Sequence, residues 1–330
     1  MDETPFPARV LAAVAAKRGP VVVGLDPRPE RLPRDLIEWG RQRHPDTRRA
    51  TAAAVGAFDR LIIDAVHDVA VAVKPQLAFY EQLGWPGIQI LEETMSYARR
   101  KGLLVIADGK RNDIGSTAVA YARAYLGVGG EESGLVADAL TVNPYLGTDS
   151  IEPFLPACRR GKGVFVLVRT SNPSGAELQD YPADSPGAET VAQRVARMVL
   201  RLNEGLPAAG GFGPVGAVVG ATTPEHAARL RRELPGVLFL VPGYGAQGAG
   251  AAEAANAFVK GGGALVNSSR DILYAWEREH PGEPGTADDF AQAARGAALR
   301  MRDALAAAAA CGRNARLDSE STLKFAASKE

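Results

Sequence analysis

Short runs of apolar residues alternate along the chain with longer segments in which apolar positions recur at helical spacing. The apolar runs are VVVGLD (21–26), VAVAVK (69–74), LLVIAD (103–108), DALTVN (138–143), GVFVLVR (163–169), VGAVVG (215–220), VLFLVP (237–242) and GALVNS (263–268). Each run is short and rich in Val, Leu or Ile, which is typical of a strand covered on both faces. The pattern therefore predicts eight buried strands.

The segments between these runs have the spacing of amphipathic helices. They cover 49–67, 86–100, 115–126, 148–159, 187–206, 223–234, 246–260 and 287–309, and a further helix is predicted near 5–18. Alternation of strand and helix indicates a parallel sheet, and eight repeats are the number that closes a (β/α)8 TIM barrel. An open, doubly wound sheet is the alternative. It would need a Gly-rich dinucleotide turn after an early strand, whereas the first strand ends GLDPRPE.

The chain shows no internal repeat and no interdomain linker, so we predict one α/β domain over residues 1–312. Residues 313–330 lack a clear apolar face and are assigned to a C-terminal tail outside the barrel, either disordered or not native to the protein. The longest polar loop, 171–186, is rich in Pro and Gly. Loops of this length often cover active sites, and an ordinary insertion is the alternative.

Composition excludes several classes of partner. Lys plus Arg and Asp plus Glu both number 38, so the formal net charge is zero. Nucleic-acid and polybasic membrane-surface binding need a basic excess, and neither is expected. No window approaches the roughly 20 apolar residues of a membrane span, and the N-terminus does not resemble a signal peptide. The two cysteines cannot make a disulfide framework, so we expect a cytoplasmic protein.

Charges of opposite sign crowd the carboxyl ends of the first three predicted strands, where barrels carry their reacting groups. Asp26 ends the first strand, Lys74 the second and Asp108 the third, followed by Lys110. In an extended segment Asp108 and Lys110 would point the same way, beside Lys74. A lysine held between carboxylates stays protonated and can deliver a proton to a carbanion. The alternative is a solvated salt bridge in a loop.

The ends of the seventh and eighth strands have a different character. The segment GYGAQG (243–248) offers flexible backbone N–H groups before a helix, and Arg270 follows the next strand. TIM barrels commonly bind phosphate at this place, and the arginine adds a fork-shaped donor for a phosphate dianion. The sequence thus predicts a phosphate site opposite the Lys/Asp cluster.

Other chemistries lack residues at the strand ends. None of the four histidines and neither cysteine falls there, so nucleophilic or acid–base chemistry by these types is not expected. A divalent metal could be held by Asp26, Asp108 and Asp113, but two lysines in the same cluster would repel it. We therefore predict no metal.

Four segments and their order resemble the orotidine 5′-phosphate decarboxylase family, in its bacterial type 2 form. They are GLDPRPE, VKPQLAFYE, DGKRNDIGST and VPGYGAQG, followed by SSRDI, and the resemblance covers roughly residues 20–275. Its specific part is the element Asp-x-Lys-x-x-Asp preceded by a lysine at a strand end. The resemblance implies a carbon–carbon lyase that converts orotidine 5′-phosphate to uridine 5′-phosphate and CO2 in pyrimidine biosynthesis, without a cofactor.

The same resemblance implies a role for each matching residue. Lys110 would protonate C6 of the pyrimidine, with Asp108 nearest the departing CO2 and Lys74 and Asp113 completing an alternating array. The implied substrate-binding residues are Asp26 and Thr117 for ribose hydroxyls, Ser171 and Pro242 for the pyrimidine, and Gln247 and Arg270 for phosphate, helped by backbone amides near Gly243 and Ser269. A homodimer is implied, in which Asp113 and Thr117 reach the partner's site.

Two departures from the family pattern affect this assignment. Asn112 stands where the bacterial form usually has Gly, which could reshape the turn that directs Asp113, and Ser269 replaces a common Gly before the arginine. Two other functions remain open. One is a metal-dependent sugar-phosphate decarboxylase or aldolase on a related barrel, and the other is a non-catalytic pyrimidine-nucleotide-binding module.

Overall fold

A computed structural model describes the backbone of residues 3–127, 135–182, 188–259 and 262–327, with side chains up to residue 311. Eight parallel strands form a closed barrel in sequential order. The strands are β1 Val21–Leu25, β2 Ala72–Pro75, β3 Leu104–Arg111, β4 Ala139–Val142, β5 Gly163–Arg169, β6 Gly213–Val219, β7 Val237–Val241 and β8 Ala264–Ser268. Each overlaps one predicted apolar run, and the predicted TIM barrel is confirmed.

Fourteen α-helices are present in the described residues. They are α1 Phe6–Lys17, α2 Arg34–Arg43, α3 Thr47–Val66, α4 Ala78–Glu81, α5 Trp85–Arg100, α6 Gly115–Leu126, α7 Leu155–Cys158, α8 Gly175–Gln179, α9 Val191–Leu202, α10 Pro224–Glu233, α11 Ala251–Ala255, α12 Arg270–Leu273, α13 Ala275–Glu279 and α14 Ala287–Ala327. The predicted N-terminal helix is present as α1. The predicted boundary at residue 312 falls within α14, and the separate tail stays a prediction.

Two predicted helices are much shorter than expected, and the residues explain why. The segment 148–159 consists of two 3₁₀ turns followed by α7, since Pro153 and Pro156 remove backbone donors that a continuous helix needs. The segment 246–260 opens as a Gly-rich turn, so α11 begins only after Gly250. Helix α8 lies inside the predicted loop 171–186, of which 183–186 fall outside the described residues.

The lower end of the barrel, where the strands begin, is closed by α1. Phe6 is buried and meets the ring of Phe165 edge-on, with ring centroids 5.9 Å apart. A Cβ on Gly163 would lie 2.4 Å from the Phe6 ring, so this position requires a glycine. Arg9 holds the helix in place through a 2.5 Å ion pair with Asp138. The apolar plug leaves the carboxyl ends of the strands as the open end of the barrel.

Candidate active site

A cavity of about 670 Å³ opens at the carboxyl ends of the strands. Ten of the twelve residues predicted for the site line it: Asp26, Lys74, Asp108, Lys110, Ser171, Pro242, Gly243, Gln247, Ser269 and Arg270. They come from the ends of β1, β2, β3, β5, β7 and β8, so barrel closure brings together residues that are far apart in sequence.

Asp108 is the centre of the charged part of the cavity. Its Oδ2 accepts a hydrogen bond from Lys74 Nζ at 2.6 Å, and its Oδ1 accepts one from Lys110 Nζ at 2.7 Å. Thr141 Oγ1 donates to the same Oδ1 at 2.9 Å, and Gln76 Nε2 donates to Oδ2 at 3.2 Å. One carboxylate is therefore shared by two ammonium groups and two neutral donors, which fixes both lysines relative to each other.

Lys110 reaches this carboxylate by a route that the extended-strand argument did not predict. Its φ is +46°, in the left-handed region that non-glycine residues rarely adopt. The β3–β4 register also shifts between Ala107 and Arg111. Thr141 Oγ1 accepts the Lys110 backbone N–H at 2.9 Å and stabilises the irregular backbone. The two side chains do meet, as predicted. The predicted reason, regular alternation along an extended strand, was wrong because the backbone at Lys110 is left-handed.

The environment keeps the buried charges of this cluster ionised. The side chains of Lys74 and Asp108 are 6% and 9% exposed, whereas that of Lys110 is 44% exposed. Burial alone would lower the pKa of Lys74, but the negative charges of Asp108 and Asp26 outweigh it and raise that pKa. Burial alone would raise the pKa of Asp108, and the two lysines outweigh it and hold that pKa well below the usual range. Lys74 and Asp108 are therefore charged across the neutral pH range.

Asp26 contributes a carboxylate oxygen that is buried and has no hydrogen-bond partner in the structure. Its backbone is fixed by Tyr274, whose hydroxyl donates to Asp26 O at 3.2 Å and accepts the Arg28 N–H at 2.8 Å. Tyr274 is itself stacked on Phe58. A held backbone and a free acceptor at the cavity wall suit the recognition of a hydroxyl group.

The opposite wall is built from glycine-rich backbone. Gly243, Gly245 and Gly248 all have φ between +78° and +103°. A Cβ on Gly245 would lie 1.8 Å from Asp271 Oδ2, so the close approach of this loop to α12 also requires a glycine. Gln247 and Arg270 are exposed at the mouth of the cavity. Backbone N–H groups and one guanidinium near a turn are the elements of a phosphate site.

Ser269 is accommodated by a glycine on the first strand. A Cβ on Gly24 would lie 1.9 Å from Ser269 Oγ, and Asn267 Nδ2 donates to that oxygen at 3.4 Å. Ser269 thus has room for its side chain because Gly24 of β1 carries no Cβ. The Ser269 amide keeps its place at the start of α12.

Asp113 and Thr117 are the two predicted site residues that do not line this cavity. Asp113 Oδ1 accepts the backbone N–H of Ile114 at 2.8 Å, and Thr117 is exposed on α6. The side-chain Oδ1 of the neighbouring Asn112 is buried without a hydrogen-bond partner. Within one chain, Asp113 and Thr117 therefore lie outside the cavity that holds the Lys74–Asp108–Lys110 cluster.

Sequence reasoning missed several residues that line the cavity. They include Arg28, Gln76, Thr141, Gln179 and Asn267. Gln76 and Arg28 stood within quoted motifs, and Gln76 follows Lys74 by two positions, which was an available signal. Thr141 lies 33 residues after Asp108 on the next strand, and only strand pairing brings the two together.

Among the residues that the structure describes, no helix is long and apolar enough to cross a membrane.

Comparison with known proteins identifies the family. A sequence profile described as the orotidine 5′-phosphate decarboxylase / HUMPS family matches residues 20–281. Orotidine 5′-phosphate decarboxylase of Rhodopirellula baltica is 47% identical over 303 residues, which are 91% of this chain and 98% of that protein. The Haloarcula marismortui enzyme of the same name is 41% identical, over 90% of this chain and 97% of that protein.

A solved structure supports the same conclusion. Leishmania donovani OMP decarboxylase is 30% identical with a TM-score of 0.69, covering 93% of this chain and 99% of that one. The similarity in sequence extends over the barrel and all the strand ends that form the cavity. The chain belongs to the orotidine 5′-phosphate decarboxylase / HUMPS family.

Proposed function

We propose that this protein decarboxylates orotidine 5′-phosphate to uridine 5′-phosphate and CO2 in pyrimidine biosynthesis. The observation that carries the proposal is the shared carboxylate of Asp108, which holds Lys74 and Lys110 at 2.6 and 2.7 Å beside an open cavity. The relatives that cover nearly the whole chain carry the name of this enzyme. A cytoplasmic location stays a prediction.

Lys110 is the group best placed to protonate the product carbanion. When CO2 leaves, the electrons of the broken bond stay on C6, in an orbital that the pyrimidine ring delocalises poorly. The Lys110 ammonium stabilises this charge and then forms the C6–H bond, after which solvent restores its proton. Lys74 is far less exposed and interacts with both Asp108 and Asp26. Its role is to keep Asp108 ionised and in position.

Asp108 would lie nearest the carboxylate that is lost. Two like charges brought together raise the energy of the bound substrate, and that repulsion disappears when CO2 departs. Both oxygens of Asp108 accept from ammonium groups, which keeps the carboxylate ionised and fixed while the substrate is bound.

The remaining cavity residues would bind the parts of the nucleotide that do not react. Asp26 would accept from ribose hydroxyls, Ser171 would hydrogen-bond the pyrimidine, and Pro242 would pack against its ring. Gln247 and Arg270 would hold the phosphate together with the amides near Gly243 and Ser269. Binding energy from the distant phosphate can then favour the transition state at C6.

A homodimer would bring Asp113 and Thr117 to the partner's cavity. Three large apolar side chains are exposed near the ends of β3 and β4: Ile114 at 51%, Tyr145 at 74% and Leu146 at 47%. An exposed apolar patch beside the site is typical of an interface between copies. The patch includes the residue next to Asp113.

Mixed dimers test this arrangement. Lys110→Ala and Asp113→Ala are each expected to be inactive alone, because each lacks one part of every site. Co-expression should restore about a quarter of the native activity, since half of the dimers are mixed and each mixed dimer has one intact site. No recovery in mixed dimers isolated with two different tags would contradict the shared site.

The function itself is tested by following the loss of orotidine 5′-phosphate absorbance with EDTA present. Turnover that survives EDTA supports the proposal and contradicts the metal-dependent alternative. Binding of uridine 5′-phosphate without release of CO2 would instead indicate a nucleotide-binding module.

A further inference from the structure

We infer that the Arg169–Asp180 ion pair is a positioning element that fixes Ser171 and Gln179 against the pyrimidine end of the cavity, an inference that rests on the proposed function. The pair lies at the base of the segment that follows β5. Ser171 and Gln179 line the cavity, whereas Arg169 and Asp180 lie behind its wall. The pair can therefore affect the substrate only through the residues that it holds.

Arg169 uses its whole guanidinium to close this segment into a loop. Its Nε donates to Asp180 Oδ1 at 2.9 Å, its Nη2 donates to Asp180 Oδ2 at 3.0 Å, and its Nη1 donates to Thr170 O at 2.6 Å. The side chain is only 4% exposed and that of Asp180 is 19% exposed. A two-pronged, largely buried pair of this kind has one geometry, unlike a surface ion pair.

A second set of hydrogen bonds crosses the loop above this pair. The Thr170 backbone N–H donates to Gln179 Oε1 at 2.8 Å, and Gln179 Nε2 donates to Thr170 Oγ1 at 2.9 Å. Gly175 packs directly against this network, since a Cβ there would lie 2.9 Å from Arg169 Nη1 and 3.0 Å from Gln179 Oε1. The orientation of Gln179 toward the cavity depends on Asp180, its neighbour in the chain.

Ser171 is fixed from the other side by the segment that follows β6. Its carbonyl accepts from Thr222 Oγ1 at 2.9 Å, and a Cβ on Gly220 would lie 2.8 Å from its Cα. The Arg169 carbonyl accepts the Gly220 N–H at 2.8 Å, so the end of β5 and the segment after β6 also meet two residues before Ser171. Ser171 thus lies where the loop closed by Arg169 and Asp180 packs against the barrel wall.

This placement separates the effects expected at the two ends of the substrate. The predicted phosphate ligands Gln247 and Arg270 follow β7 and β8, and in the described part of the chain neither makes a hydrogen bond or ion pair with Asp180. Loosening the loop should misplace Ser171 and Gln179, and errors of about 1 Å in such groups cost up to roughly a hundredfold in rate. Contacts to phosphate should be preserved.

The experiment compares Asp180→Ala and Asp180→Asn with the native protein. The dissociation constants of uridine 5′-phosphate and of inorganic phosphate are measured by calorimetric titration, and kcat and KM are measured separately. Asp180→Ala should raise the uridine 5′-phosphate constant roughly tenfold to a hundredfold and leave the phosphate constant within about twofold. Asp180→Asn keeps one acceptor and loses the charge, so its uridine 5′-phosphate constant should lie between those of the native protein and Asp180→Ala. The same variant provides the test if Asp180→Ala does not fold.

Asp68→Ala is the matched control. It removes another two-pronged ion pair, in which Arg295 donates to Asp68 at 2.6 and 2.8 Å, at the opposite end of the barrel. Its constants should stay within about twofold of native, because surface ion pairs contribute little. Equal weakening of nucleotide and phosphate in the Asp180 variants would show a general structural role and overturn the inference, as would unchanged nucleotide binding.

Failure of this inference is distinguishable from failure of the proposed function. The binding constants of the Asp180 variants are obtained whether or not the native protein turns over. A native protein that releases no CO2 from orotidine 5′-phosphate refutes the proposed function alone. If the native protein releases CO2 and the Asp180 variants bind uridine 5′-phosphate as tightly as the native protein does, the positioning role alone is refuted.

Discussion

The two walls of the cavity are built in opposite ways. On the β2–β3 side, the cluster of Lys74, Asp108 and Lys110 has its charges already paired, and two of the three side chains are less than a tenth exposed. On the β7–β8 side, Gln247 and Arg270 are exposed and the wall is mainly glycine-rich backbone with positive φ. One wall is held by its own charges, and the other presents donors to solvent.

Under the proposed function, the β2–β3 side would carry the chemistry and the β7–β8 side would bind the phosphate. Charges that stabilise a carbanion must be oriented before the reaction, because reorientation during the reaction would cost energy. A phosphate site gains from exposed donors, because the dianion itself supplies the missing partner. The comparison predicts that changes on the first side lower kcat, while changes on the second side raise KM.

The largest effect is expected for Lys110→Ala. Loss of the ammonium removes both the electrostatic stabilisation and the proton source, so turnover should fall by roughly 10⁴-fold or more. Binding of uridine 5′-phosphate should persist, because the other wall is untouched. Initial rates and calorimetric titration with the nucleotide measure the two quantities.

Lys101→Ala is the control for that variant, since Lys101 makes a 2.6 Å ion pair with Asp64 away from the cavity. It should leave kcat unchanged. Retained turnover in Lys110→Ala would exclude Lys110 as the proton donor. It would also show that the chemistry does not depend on the Lys74–Asp108–Lys110 cluster being complete.

Asp59, a buried acid on α3, gives the next largest effect, on stability. Burial raises the pKa of Asp59 to about 7, against the opposing hydrogen bonds from Tyr80 and Thr94. The pKa of Asp59 in the folded protein exceeds the ordinary value of 3.8. Its contribution to the free energy of unfolding is therefore fully present below about pH 4 and is lost as pH rises through 7. Relative to Asp59→Asn, the native free energy of unfolding should fall by about 4 kcal/mol between pH 4 and pH 8.

Denaturant unfolding of both proteins across this pH range measures the difference. Asp64→Asn, on the same helix, should show the opposite sign. Burial alone would raise the pKa of Asp64, but the interactions with Lys101 and Tyr97 together outweigh it and lower that pKa. A pH-independent difference between the native protein and Asp59→Asn would show that folding does not raise the pKa of Asp59.

Arg270→Ala tests the exposed wall. Removing a forked donor to a phosphate dianion should raise KM roughly 10- to 100-fold and change kcat much less. Arg229→Ala, an exposed arginine paired with Glu233 on α10, is the matched control and should leave KM unaltered. An unchanged KM in Arg270→Ala would remove this arginine from the phosphate site.

The smallest effect is expected from salt. At 0.1 M salt, interactions between exposed charges more than about 10 Å apart are largely screened, whereas charges in buried clusters are screened much less. Raising NaCl from 50 to 500 mM should therefore increase KM by about two- to fivefold and leave kcat nearly constant. A fall in kcat that parallels the rise in KM would show that the two walls are not electrostatically distinct.

Much of the barrel could be predicted because its strands are buried on both faces and carry continuous Val, Leu and Ile runs. Helices were predicted less well where local breakers decide. Pro153 and Pro156 divide the segment 148–159, and the glycines before Ala251 delay α11. The short helices α4, α8, α12 and α13 were missed because four or five residues do not establish a period.

The sequence by itself determined the eight strands and the charged residues at their ends, because both are local patterns and parallel strands in a barrel end at one face. Only the tertiary structure decided how those charges pair. The left-handed backbone of Lys110, the Thr141 bond to Asp108 and the closure of Arg169 on Asp180 each depend on residues apart in sequence. The physical reason is that a buried charge is satisfied by whatever neighbours the packing provides, and local periodicity does not specify them.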